Sequence, residues 1–289
     1  MVLDLGPFTP RTSARHVLPS LALLTPRPYS VRFEVSGRWA GAWSSWIGTV
    51  TLGDDVFAPI AAAAGALNAD IDEVVAASPI DSVRLRVRVG GPGRDAIFDA
   101  PWLVSLSVWD GTLDAASATP ERVRLVVPPR TQMTAPEPIR LRICSPASVA
   151  MTLAFFGREV ATLALADEVL HAPTDRYGVW PAATKAGGAH GVPGYLLRFP
   201  SWDAAAWCLA RGLPIVASVR FNTGELTGSP IAETTGHLIV ITGLDGDDVF
   251  VNDPAAPSEH DVARCYRQDE MTRAWLDGSG VGYVFLRPP

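Results

Sequence analysis

Two rhythms divide the chain. From about Tyr29 to Val127, apolar and polar residues alternate. In YSVRFEV, Val31, Phe33 and Val35 share one face; in SVRLRVRVG, Val83, Leu85, Val87 and Val89 share one face and Arg84, Arg86 and Arg88 the other. LVSLSVW and RVRLVV repeat the pattern. A period of two with a charged opposite face predicts half-exposed antiparallel strands, because successive Cβ atoms point to opposite sides of a sheet. Breaks rich in turn formers, GGPGRD and DGTLD, separate them. The alanine-rich segment Ala58 to Ala77 predicts a helix or a long loop. Strands with one apolar face each bury it against one another, so a β-sandwich of roughly 100–125 residues is expected.

After the proline-rich stretch Pro128 to Pro138 (PPRTQMTAPEP) the rhythm changes. PASVAMTLAFFG has helical spacing and stops at Gly157; EVATLALADEVL predicts a second helix. SWDAAAWCLARG predicts a third, with Ser201 as N-cap and Gly212 as the stop. Strands follow in PIVASVRF, HLIVITGL, DVFVND and VGYVFLRP. Helices first and strands afterwards describe an α+β domain. The expected division is residues 1–127, an antiparallel β-sandwich, and residues 128–289, helices packed on an antiparallel sheet.

Composition narrows the function. Hydrophobic residues make up 48% of the chain and charged residues 19%, enough to bury a sizeable core. The net charge of -6 and the lack of a basic stripe argue against a nucleic-acid partner. Cys144, Cys208 and Cys265 are widely spaced and form no C-x-x-C pair, so neither a zinc knuckle nor a redox dithiol is indicated; a reducing compartment suits them. His171, His190 and His260 have no metal-ligand spacing, and no cofactor is called for. The apolar patch Val17 to Leu24 is broken by Pro19 and preceded by Asp4, a poor match to a signal peptide. No run of ~20 apolar residues exists to span a membrane. A cytoplasmic protein without a membrane partner is the expectation.

Candidate chemistry lies in the second half. Cys144 begins the first predicted helix, with Pro146 in the first turn. Free N–H groups and the positive end of the helix dipole favour a thiolate there. A thiolate nucleophile needs a base, and the base an orienting group. His237 opens one strand and Asp253 ends the next, after the turn LDGDD. A hairpin brings the start of one strand beside the end of the other, so the two are predicted neighbours. Asn252 competes with Asp253, because strand alternation alone does not say which faces the histidine.

Taken in order, these motifs resemble papain-like cysteine peptidases of the bacteriocin-processing type, family thirty-nine, including its stand-alone bacterial members. The pattern there is a glutamine, then Cys-Gly-Pro-[Ala/Thr]-Ser and an apolar helix, then Gly-His, then Asp-Pro. This chain supplies Gln132, Cys144-Ser145-Pro146-Ala147-Ser148, Gly236-His237 and Asp253-Pro254. The resemblance implies a papain-like domain from about Val127 onward and a peptide or protein as substrate. It implies Cys144 as nucleophile, His237 as general base and acid, Asp253 as its orienting group and Gln132 as an oxyanion donor. Ser145 departs from the usual glycine; its side chain is expected to border the cleft, with Trp180 and Gly236 as further substrate contacts. For Trp180, filling the core is the favoured alternative to walling the cleft. The dense Trp39, Trp43 and Trp46 suggest either a sugar-stacking face or packing. Acyl transfer by the same triad and an inactive binding module remain alternatives.

Overall fold

The computed structural model describes residues 1–91, 99–113 and 122–288. The Pro92–Asp95 part of the GGPGRD break and Asp114 of DGTLD lie outside them. The first half contains β1 (Val2–Phe8), β2 (Ala14–Leu23), β3 (Ser30–Trp39), β4 (Ala42–Trp43), β5 (Ile47–Gly48), β6 (Ala63–Ala64), β7 (Leu67–Ala69), β8 (Val74–Ile80), β9 (Ser82–Gly90) and β10 (Trp102–Trp109). They form two antiparallel sheets, one in the order β1-β9-β3-β4 with β5 also on β3, the other β10-β2-β8-β7-β6. The alternating strands behave as their pattern dictates. Val83, Leu85, Val87 and Val89 are buried with Val31, Phe33 and Val35, while Arg84 and Arg86 lie over the rings of Trp43 and Trp46 at 3.8 and 4.2 Å. Trp43 and Trp46 are thus partners of the arginine row, and Trp39 packs against the core.

Two expectations change here. Ala58 to Ala77 is neither a helix nor a plain loop: Gly65, at φ 59°, turns the chain between β6 and β7, and β8 begins at Val74. Only a residue without a Cβ takes that φ cheaply, so the turn overrides the helical propensity of the alanines. The patch Val17 to Leu24 is largely β2, a central strand buried on both faces, because the helix Trp180–Ala189 covers its outer side. A Cβ on Gly188 would come within 2.5 Å of the Leu23 carbonyl oxygen, so glycine sets that close approach.

The second half contains β11 (Val123–Arg124), the helices Glu137–Arg140, Cys144–Phe155, Thr162–Val169 and Trp180–Ala189, β12 (Gly194–Arg198), the helix Trp202–Leu209, β13 (Ile215–Phe221), β14 (Thr234–Asp245), β15 (Asp248–Asn252), β16 (Ala263–Arg267), the helix Gln268–Met271 and β17 (Val281–Phe285). The helix Trp202–Leu209 is capped as expected, Ser201 accepting from the Ala204 N–H, and Gly157 and Gly212 follow their helices at positive φ. The strands form one antiparallel sheet, β12-β17-β13-β14-β15-β16, with β11 on β14. RVRLVV therefore joins this sheet rather than the first-half strands, its Val123 and Arg124 opposite Leu244 and Gly243. β13 begins at Ile215 opposite Ile241, which leaves that side of β14 free beyond Ile241 for β11; a Cβ on Gly243 would sit 2.4 Å from the Val123 carbonyl oxygen.

The Cys144–Phe155 helix is buried from Ser145 to Ala154 and lies on β14. A helix apolar all round is what a central position requires. On the other face of the sheet, Trp275, Phe199 and Tyr266 centre a second core. The halves join through hydrogen bonds as well as packing. β12 is a sheet edge, and its outward N–H groups at Leu196 and Arg198 donate to the hydroxyls of Ser20 and Ser107 at 3.2 and 3.0 Å. Buried edge N–H groups left without acceptors would each cost about 1–3 kcal/mol. Among the described residues no helix is long and apolar enough to cross a membrane.

Candidate active site

Cys144 is the first residue of its helix and half-buried, while Ser145, beside it, is 1% exposed. The helix is tied to β14 where the Ser148 hydroxyl donates to the Leu238 carbonyl at 3.0 Å. That bond sits one residue from His237, so one contact fixes thiol and imidazole together. The Cys144 thiol interacts with the His237 ring and with the main chain at Leu238 and Ser145. His237 is 4% exposed, and its Nε2 is 2.8 Å from Asp253 Oδ1. With Nε2 taken, the ring nitrogen toward the sulfur is Nδ1.

The β14–β15 hairpin explains this. Val240 pairs with Asn252, which brings Asp253, just past the strand end, close to His237 on β14. Asn252 turns the other way, its Nδ2 donating to the Val127 carbonyl at 3.0 Å. Asp253 is 1% exposed. Its Oδ1 also accepts from the Ala255 N–H at 3.0 Å, and its Oδ2 accepts from the Tyr266 hydroxyl at 2.9 Å. A carboxylate this buried persists only when its oxygens are satisfied.

Charge follows geometry. Burial opposes ionisation of Cys144, but the His237 contact and the nearby N–H groups outweigh it and lower its pKa. Burial opposes charge on His237, yet the Asp253 carboxylate and Cys144 raise its pKa to about 10. Burial pushes the Asp253 carboxyl up, and His237, the Ala255 N–H and Tyr266 pull it below its usual range. All three directions favour a thiolate–imidazolium–carboxylate row over its neutral form.

Gln132 is not a solvated loop residue: it is 3% exposed. Its main-chain N–H donates to the Pro254 carbonyl at 2.8 Å, and the neighbouring Thr131 hydroxyl reaches the Pro254 and Ala256 carbonyls. The proline-rich stretch is thus pinned beside Asp253. Gln132 Nε2 donates to the Arg140 carbonyl at 2.6 Å, while Oε1 is buried without a hydrogen-bond partner. One N–H fixes the amide and the second remains to donate.

The expected substrate contacts fare differently. Ser145 does not present its hydroxyl at the cleft surface; Oγ lies 3.3 Å from the Tyr283 hydroxyl in the core. The reason is its place in the first helical turn, on the side facing β17. Ser145→Gly should therefore cost about 1–3 kcal/mol of stability by leaving the buried Tyr283 hydroxyl unpaired, read as a lower thermal midpoint. Trp180 is half-buried against the core, and its main-chain N–H donates to Asp72 Oδ2 at 2.8 Å. Gly236 is exposed beside His237, and a Cβ there would meet nothing within 4 Å.

Tyr266, Tyr283 and Asp72 carry no motif. Only the β15–β16 and β12–β17 pairings and the contact between halves bring them here. Among the described residues no group of three or more His, Cys, Asp or Glu could hold a metal ion. His171 is buried against Thr174, with Nδ1 2.7 Å from its hydroxyl, and His190 pairs with Glu168 at 3.0 Å.

Residues 124–283, more than half of the chain, match the sequence profile of the Peptidase C39-like family. Among solved structures, the chain is similar to a candidate C39-like peptidase from Bacillus anthracis, at 18% identity over 57% of this chain and 98% of that one, with a TM-score of 0.44. It is similar to a double-glycine-motif protease from an AMS/PCAT transporter, in complex with the leader peptide, at 19% identity over 60% of this chain and 100% of that one, with a TM-score of 0.40. A third likeness is the peptidase domain of Streptococcus ComA, a bifunctional ABC transporter of a quorum-sensing pathway, at 12% identity over 52% and 93% of the two chains, with a TM-score of 0.38. No curated protein matches the chain.

Proposed function

The chain belongs to the Peptidase C39-like family, and from that premise we propose that it is a cysteine peptidase that hydrolyses a peptide or related amide bond through an acyl-enzyme. The observation that carries this reading is the buried row in which His237 Nε2 lies 2.8 Å from Asp253 Oδ1 and Tyr266 donates to Asp253 Oδ2, with the Cys144 thiol interacting with the same imidazole.

The Cys144 thiolate attacks the carbonyl carbon; a C–S bond forms and the carbonyl π pair moves onto oxygen. The Cys144 main-chain N–H and the free N–H of the Gln132 amide receive that oxyanion. As the pair returns, the C–N bond breaks, and His237 Nδ1–H protonates the leaving amine. Water then attacks the thioester, its proton going to Nδ1. The second tetrahedral species expels the thiolate and releases the acid. Asp253 keeps the Nε2–H directed at itself throughout and offsets the imidazolium charge. Trp180 and Gly236 border the substrate. The three free thiols suit the cytoplasmic setting expected from the sequence.

Selective labelling tests the proposal. Burial raises Cys208 to about 11, and burial together with Asp248 raises Cys265, whereas Cys144 is lowered. Near pH 6 a small thiol-directed electrophile should modify Cys144 on the order of 100-fold faster than the other two, measured by peptide mapping. The same protein should cleave members of a broad peptide library. Equal labelling at all three cysteines together with no cleavage would sink the reading. Products formed with an added amine in place of water would favour acyl transfer.

A further inference from the structure

One half-buried carboxylate from the first half reaches the candidate site. Asp72 lies between β7 and β8, and its Oδ2 accepts the Trp180 main-chain N–H at 2.8 Å. Trp180 begins the helix Trp180–Ala189, whose own N-cap, Val179, offers no side-chain acceptor. Asp72 therefore serves as the cap from another part of the fold, with its charge at the positive end of the helix. The next residue anchors it: Glu73 is 8% exposed and accepts from Arg198 Nε and Nη2 at 2.9 and 2.5 Å.

What Asp72 holds runs alongside the thiol. Arg142, two residues before Cys144, pairs with the Asp175 carboxylate at 2.7 Å and lies over the Tyr177 ring at 5.2 Å. A Cβ on Gly178 would touch the Ser145 Cβ at 4.0 Å. The segment from Asp175 to Trp180 thus follows the first turn of the Cys144 helix. Arg142 ties one end and Asp72 the other.

We propose that Asp72 is a positioning residue for substrate: it holds Asp175 to Trp180 in place as one wall of the cleft at Cys144. The role rests on the peptidase reading, and it assigns the first half a part in the site even though the family match begins only at residue 124.

The test uses the full chain, with Asp72→Ala and Asp72→Asn beside the parent. Each is titrated with a small electrophile and with a peptide-length one carrying the same warhead. For Asp72→Ala the small reagent should modify Cys144 within about twofold of the parent rate, while half-saturation by the peptide-length reagent rises about tenfold. Amide exchange at Trp180 should accelerate. Hydrolysis should show the same split, a raised KM with kcat within about twofold. Asp72→Asn, which keeps an acceptor oxygen, should recover most of the affinity. Unchanged half-saturation in Asp72→Ala overturns the proposal, as does a parallel fall with both reagents. If the parent cleaves no peptide, the peptidase reading fails, and the electrophile comparison still decides whether Asp72 holds the wall.

Discussion

Replacing Cys144 with alanine should lower kcat/KM for a cleaved peptide by about 10⁴-fold, to the residual level that binding and oxyanion donors sustain alone. The effect is large because the other thiols cannot substitute: Cys208 is 2% exposed inside the second core, and Cys265 lies on β16. The fold should barely respond. Cys144 is half-buried and makes no disulfide, and His237 keeps its 2.8 Å contact with Asp253 when the sulfur is gone. A thermal midpoint within a few degrees of the parent, with cleavage and labelling at position 144 both lost, is the expected result. Cleavage retained in Cys144→Ala would assign the activity elsewhere.

What the sequence disclosed about this site was what it encodes locally. A cysteine at a helix start, Gly157 and Gly212 as stops, and a tight turn between two apolar strands each depend on a few adjacent residues. So did the β9 alternation, whose arginines and valines sort as a period of two requires. What it withheld depends on partners far along the chain. Asn252 and Asp253 are adjacent and chemically alike; only the registers of β11, β14 and β15 send one to Val127 and the other to His237. Tyr266 reaches Asp253 because β16 pairs with β15, and nothing in ARCYR marks it. Ser145 resembles a cleft residue until β17 places Tyr283 beneath it. Asp72 and Trp180 are separated by 108 positions. RVRLVV reads as another first-half strand, because alternation reports a half-exposed strand without naming the sheet it joins.

The pH dependence should carry the mark of Asp253. Cys144 is lowered and His237 raised to about 10, so the reactive ion pair should persist over a broad plateau. Activity rises as the thiol ionises and falls as pH passes about 10, where the imidazolium loses the proton that the leaving amine needs. Asp253→Asn keeps the side-chain shape and one acceptor oxygen but removes the charge that most raises His237. Its alkaline limb should move toward neutrality by more than about one unit, with a fall in kcat on the order of 10²-fold near pH 8. Stability should shift in the same sense. His237 is raised above its unfolded value, so its contribution is full below about pH 6.5 and is lost as pH rises through about 10. Asp253 is lowered, so its contribution is present above its unfolded value near 3.8 and is lost as pH falls through its folded one. Denaturant midpoints for parent and Asp253→Asn should therefore differ most between about pH 3.8 and 6.5, draw together as pH rises toward 10, and converge at the acid end. An alkaline limb unmoved by the substitution would mean that some other group holds the imidazolium, and the carboxylate would then be structural only.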